Sequence, residues 1–196
     1  MNSIDKILSK VPNKLAPAKG RLLLSEPFLQ DMFFKRSVVL LADYSEEGSF
    51  GLILNKPIEF SFNQIVENFP DFEAPVYMGG PVSPQSIFFI HTLGDQIKDS
   101  QKIMPGLYYG GSVEDVKTLM YEKKIHPENI RFFLGYSGWS ENQLEEELER
   151  KSWVVTDTTP QEIMRQTNES FWKSIVKSLG KEFEIWTKLP SDPKLN

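Results

Sequence analysis

The stretch Phe132-Phe133-Leu134-Gly135-Tyr136-Ser137-Gly138-Trp139-Ser140-Glu141-Asn142-Gln143-Leu144-Glu145 constrains the fold more than any other part of the chain. Its apolar start reads as a buried strand over Arg131–Gly135. Gly135 and Gly138 lack a Cβ, so the backbone there can turn tightly or approach another chain segment closely. Ser140 and Gln143 have capping-box spacing, which predicts a helix capped at Ser140 with Trp139 as the hydrophobic staple before it. Amides at such a helix start can hold an anion or a carboxylate. The capping box, however, accounts for Gln143 without any ligand.

Short β-branched or aromatic runs bounded by Gly, Pro, Asn, Asp and Ser recur through the chain. They predict strands at Arg21–Ser25, Ser37–Asp43, Phe50–Asn55, Pro75–Met78, Ile87–His91, Gly106–Tyr109 and Trp153–Thr156. Val38-Val39-Leu40-Leu41 and Phe88-Phe89-Ile90 are continuous apolar runs, as in strands buried on both faces. Helix starts are marked by Ser61 with Gln64, Ser112 with Asp115, and Thr159 with Glu162, where Pro160 fits the first helical position. From Glu169 to Leu179 the apolar residues Trp172, Ile175, Val176 and Leu179 share one helical face, which Gly180 ends. Strands outnumber helices and do not alternate strictly with them. The fold class expected is α+β with a mixed, mostly antiparallel sheet and a few packed helices.

The 196 residues are expected to form one domain over 1–196. It would comprise a short amphipathic helix over 1–12, a compact body over about 20–188 and a loose polar tail over 189–196. With no cysteine, disulfides and thiol chemistry are excluded. No apolar run approaches the ~20 residues that span a bilayer, and the N-terminus lacks a secretory h-region. A cytoplasmic protein without membrane contact is expected. The net charge of -5 carries no basic stripe, which disfavours nucleic acid as a partner. The local clusters Lys35-Arg36 and Lys123-Lys124 read as solvated pairs, although a small basic face can still be assembled in three dimensions.

Candidate chemistry is sparse. His91 ends a strand on the face of Ile87 and Phe89 and is the better of two histidines for proton transfer. Glu145, Glu146, Glu147 and Glu149 read as a solvated helix face with i,i+4 pairs to Arg150 and Lys151. No spacing indicates a metal, and no motif calls for a cofactor. Asn55, Gly80, Pro81, His91, Ser137, Gly138, Trp139 and Gln143 fall at strand ends, where binding sites concentrate. One reading joins them in a surface for a small ligand or a protein partner. A second is a hydrolase with His91 as general base and Ser137 or a water as nucleophile. The sequence favours the non-enzymatic reading.

Asn55-Lys56-Pro57, Gly79-Gly80-Pro81, His91 and Gly135-Tyr136-Ser137-Gly138-Trp139 with the later Gln143-Leu144-Glu145 form a set. Together with Pro27, Asp31 and Arg36 to Leu41, their order from Gly20 to about Gly180 resembles the YqgE/AlgH family of bacterial proteins. Met32, where that family commonly has Pro, Tyr44, where many members have His, and Ser140-Glu141-Asn142 depart from its pattern. The resemblance implies a sheet curled into a pseudo-barrel. It imports no enzyme activity, since the family is largely uncharacterised. Some members carry the label of transcriptional regulator, which no basic recognition helix in this chain explains.

Overall fold

The computed structural model describes residues 15–165 and 167–190. The helix expected over 1–12 and the tail beyond Pro190 lie outside the described residues. Ten strands form one sheet: β1 (Leu22–Ser25), β2 (Val38–Ser45), β3 (Gly48–Ile53), β4 (Pro57–Ser61), β5 (Pro75–Met78), β6 (Val82–His91), β7 (Gln101–Met104), β8 (Leu107–Tyr109), β9 (Ile130–Ser140) and β10 (Trp153–Thr156). The helices are α1 (Phe62–Ile65), α2 (Val113–Tyr121), α3 (Gln143–Glu149), α4 (Pro160–Met164), α5 (Ser170–Ser178) and α6 (Glu184–Lys188). The main path runs β10-β1-β2-β3-β9-β6-β8-β7, with β5 and β4 branching from β9. Among the described residues only the β5–β9 pair is parallel. The α+β class with a mixed, mostly antiparallel sheet is therefore observed. The sheet does not close: β10 and β7 stand at the two ends of its path.

Period-2 alternation distributes the long apolar runs to both faces. Leu22, Leu24, Val38, Leu40, Leu52 and Leu54 pack under α4, α5 and α6 with Ile163, Trp172, Ile175, Val176 and Trp186. Leu23, Val39, Leu41 and Ile53 point the other way, against Trp139, Leu144 and Trp153. A third cluster under α1 and α2 joins Phe62, Val76, Phe89, Val116, Leu119 and Phe132. The predicted caps form at Ser112, whose side chain accepts from the Asp115 amide, and at Thr159, which accepts from the Glu162 amide. At α1, Gln64 Oε1 accepts from the Ser61 amide at 2.8 Å.

Strand β9 departs from the sequence reading. No turn follows Gly135; the strand continues to Ser140. Its neighbour on one side changes instead. Residues Phe132 to Leu134 pair with β5, whereas Ser137 to Ser140 pair with β3. Gly135, at φ +66°, sits where one neighbour gives way to the other. Gly79 joins the two: its N–H donates to Leu134 O at 2.7 Å, and its carbonyl accepts from the Ile53 N–H at 3.0 Å. The Ser137 hydroxyl donates to that same carbonyl at 3.0 Å. The backbones here touch. A Cβ on Gly79 would lie 2.1 Å from Gly135 O, and one on Gly80 would lie 2.3 Å from the Tyr136 carbonyl. The helix start is also displaced. Ser140 ends β9, and the α3 N-cap is Asn142, in a left-handed conformation. One arm of the expected box survives, with the Ser140 N–H donating to Gln143 Oε1 at 3.0 Å.

Gly79→Ala is expected to cost at least about 3 kcal/mol, because backbone rather than a pliable side chain blocks the new methyl. Gly106→Ala meets nothing within 4 Å and carries only the strain of its positive φ. It should cost about 1–2 kcal/mol. Urea denaturation of both variants measures the contrast.

Candidate functional site

Most of the residues singled out from the sequence are interior. Asn55, His91 and Ser137 have no exposed surface, and Gly80 and Trp139 are buried. Pro81 and Gln143 are exposed and Gly138 is half-buried. Gly80 and Ser137 meet at the β3–β5–β9 junction, where their role is close backbone packing and a hydrogen bond. Trp139 faces the α3 side. Its indole N–H and that of Trp153 both donate to Glu147 Oε2, at 2.9 and 2.7 Å, while Gln143 Nε2 donates to Glu147 Oε1 at 3.0 Å. Glu147 is thus an anchor for two indoles rather than part of a solvated face. Glu146 does make the expected pair with Arg150, at 3.4 Å.

The His91–Ser137 dyad is not assembled. His91 pairs with Ile130 across β6 and β9, whereas Ser137 lies seven residues further along β9. At about 3.3 Å per residue that places them roughly 20 Å apart. His91 Nδ1 accepts from the Leu93 N–H at 3.3 Å, so Nε2 carries the proton. Nε2 faces Ser100 Oγ at 3.0 Å and Gly110 O at 3.2 Å, and the ring stacks on Tyr108. Burial pushes the His91 pKa down, partly opposed by the bond to the Gly110 carbonyl. The ring is a satisfied neutral structural element.

Asn55 is different, because it holds Arg36 and adjoins Lys56, which both line an open cleft. Its Oδ1 accepts from the Val38 N–H and its Nδ2 donates to Arg36 O, both at 2.9 Å. This grips the chain on either side of Ser37 and holds Arg36, whose φ of +50° is unusual for a non-glycine residue. The preceding turn is set by Asp31, whose carboxylate accepts from the Phe33 and Phe34 amides at 2.8 and 3.0 Å. Lys56, next to Asn55, donates to Phe33 O at 2.6 Å. The result is a cleft of about 640 Å³ lined by Met32, Lys35, Arg36, Lys56, Glu169, Ser170 and Lys173.

Four cations and one acid line this cleft. Among the described residues none of the four cations is within 4 Å of a carboxylate. Arg36 lies over the Trp172 ring and donates from Nη2 to Leu189 O at 2.6 Å, while its buried Nε has no partner. Burial lowers the pKa of Arg36. Burial also lowers that of Lys56, with Glu169 and Asp31 opposing and Lys35 reinforcing the shift. Arg131 is a further buried cation. It donates to Leu54 O at 2.7 Å, to Thr167 Oγ1 at 3.2 Å and to Ile163 O, and it stacks on Tyr77. Burial pushes its pKa down to about 10. Leu54 and Thr167 each lie two residues from a wall of the cleft, Lys56 and Glu169 respectively.

The sequence reading missed this site by treating Lys35-Arg36 as a solvated pair. Lys56, Ser170 and Lys173 lie far from that pair in sequence, so only the fold reveals their convergence. The adjacent Asn55 and the conformation it imposes on Arg36 were the nearest available signal.

Fold and cleft together define an α+β protein with a basic cleft beside the β3–β4 turn. Residues 22–184 match the model of the AlgH-like family, DUF179, and the chain belongs to that family. It is 43% identical over 198 residues to a UPF0301 protein of Parabacteroides distasonis, covering all of both chains. It is 42% identical over 179 residues to one of Cytophaga hutchinsonii, covering 91% of this chain and 98% of that one. The AlgH protein of Pseudomonas aeruginosa superposes with a TM-score of 0.71 at 24% identity, over 91% of this chain and 98% of that one. A protein of Corynebacterium diphtheriae superposes at 0.74 and 20% identity, over 94% and 98%. These last two likenesses concern the fold.

The depressed His91 pKa makes a stability prediction. The unfolded chain takes up the proton near pH 6.5, before the folded one does, so protonation favours unfolding. Stability from His91 is fully present above about pH 6.5 and falls as the pH drops below it. Denaturation midpoints should decline from about pH 7 to 5 in the wild type. His91→Gln should show a shallower decline across that window.

Proposed function

We propose that the protein is a small-ligand-binding module of the cytoplasm, without catalytic chemistry of its own, and that its ligand is an anion held in the basic cleft. The observation that supports this is the convergence of Lys35, Arg36, Lys56 and Lys173 on one opening with a single acid, Glu169, among its described lining residues, on a chain of net charge -5. Like charges that crowd a partly buried site repel one another and lose hydration. An anionic ligand relieves both costs at once. The cleft volume falls within the range of roughly 300–1,000 Å³ usual for small-molecule sites. Low-dielectric walls around like-signed charge also concentrate the field on the opening.

Charge reversal tests this reading. Lys35 and Lys173 are exposed, so Lys35→Glu/Lys173→Glu should fold normally. Calorimetric titration with pyrophosphate and with citrate, at fixed ionic strength, should detect binding of at least one to the wild type. The double variant should bind that anion at least tenfold more weakly, whereas Lys102→Glu on the edge strand β7 should leave the affinity unchanged. Binding should also weaken as the pH rises through the lowered Lys56 pKa, since the ligand favours the protonated amine. Equal affinity in the double variant would place the anion elsewhere.

A further inference from the structure

We infer that the ligand of this cleft is a phosphorylated compound with a polar body, such as a sugar phosphate or a pyrophosphate, rather than a carboxylate or a stacked nucleotide. This rests on the anion-binding reading of the cleft and adds the chemical class. The donors come from three separate elements. Lys35 and Arg36 belong to the turn before β2, Lys56 to the β3–β4 turn, and Lys173 to the first turn of α5. A carboxylate offers two oxygens in one plane and is well matched to a single guanidinium fork. A phosphate offers at least three strong acceptor oxygens around a tetrahedral centre and nearly two negative charges at neutral pH. Donors arriving from three walls can therefore be used together by phosphate.

Arg36 carries the second argument. Its guanidinium is held in place by the Trp172 ring and by one neutral carbonyl, that of Leu189, while Nε is buried without a partner. Guanidinium donors bond considerably more strongly to an ionised oxygen than to a neutral carbonyl. Lys173, in the first turn of the nine-residue α5, brings an ammonium to the same wall, whereas the Ser170 hydroxyl and N–H are already donated to Asn168 Oδ1 at 2.6 and 2.9 Å. The composition of the lining sets the rest of the ligand. Met32, 84% exposed at the rim, is the only apolar residue of the lining, and Trp172 is buried beneath Arg36. Among the described residues the lining carries no aromatic side chain for a base to stack on, so the body beyond the phosphate meets polar groups.

Calorimetric titration of the full chain at constant ionic strength, with pyrophosphate, ribose 5-phosphate, citrate and adenosine diphosphate as probes, tests this. Pyrophosphate is expected to bind at least tenfold more tightly than citrate. Ribose 5-phosphate should give measurable binding, and adenosine diphosphate should bind no more than about threefold tighter than pyrophosphate. Lys173→Ala, at an exposed position, should weaken pyrophosphate by fivefold or more while leaving the melting temperature of the free protein unchanged. Citrate binding as tightly as pyrophosphate, or more so, would overturn the phosphate class and leave the anion-binding reading standing. Adenosine diphosphate binding more than tenfold tighter than pyrophosphate would overturn the polar body. Absence of heat with every probe, matched by absence of any shift in melting temperature, would overturn both readings.

Discussion

Two glycines pressed against a third strand determine how this molecule is put together. Gly79 and Gly80 lie so close to Gly135 and Tyr136 that a methyl group at either position would overlap main-chain atoms. Close approach lets the Gly79 peptide bond to β9 and to β3 at once, with the Ser137 hydroxyl closing the arrangement. Strand β9 can then exchange one neighbour for another without leaving polar backbone unpaired in the interior. Both halves of the sheet are assembled on this junction, and the β3–β4 turn that follows Ile53 inherits its position from it.

That inheritance is what builds the cleft. Asn55 follows β3 within two residues and grips the chain on either side of Ser37, at the Arg36 carbonyl and the Val38 N–H. Lys56 then reaches across to the turn before β2. Buried Arg131 carries no carboxylate partner among the described residues and is stabilised by carbonyls and aromatic faces instead. It adds positive potential behind the same wall. The chain is acidic overall, yet its charge is not evenly spread, and a local excess of cations at a concave surface governs binding more than net charge does.

The strand and helix inventory was largely legible because it rests on local physics. Alternation in Leu22 to Leu24 and Val38 to Ala42, and the caps at Ser112 and Thr159, act over a few residues. Strands β4 and β7 were not read from the sequence: β4 begins at the Pro57 that reads as a turn after Asn55-Lys56, and β7 has no alternation in its four residues. The Gly135 segment was misread as a turn because a glycine that permits tight turning looks identical in sequence to one that permits close packing. The same ambiguity made Gly80 and Ser137 look like site residues. Family resemblance, carried by Asn55-Lys56-Pro57 and its companions, identified the family and the α+β class, but it could not say that Asn55 positions Arg36 rather than touching a ligand. Long-range convergence of Lys35, Lys56 and Lys173 has no signature in one sequence.

The central claim is a location, and a residue-resolved titration tests it most directly. Amide resonances of the isotopically labelled chain would be followed while pyrophosphate is added at constant ionic strength. The account predicts that shifts concentrate at Lys35, Arg36, Lys56, Ser170 and Lys173, with Gly138 to Gln143 unmoved. Perturbations centred on Gly138 to Gln143, or scattered evenly over the surface lysines, would contradict it.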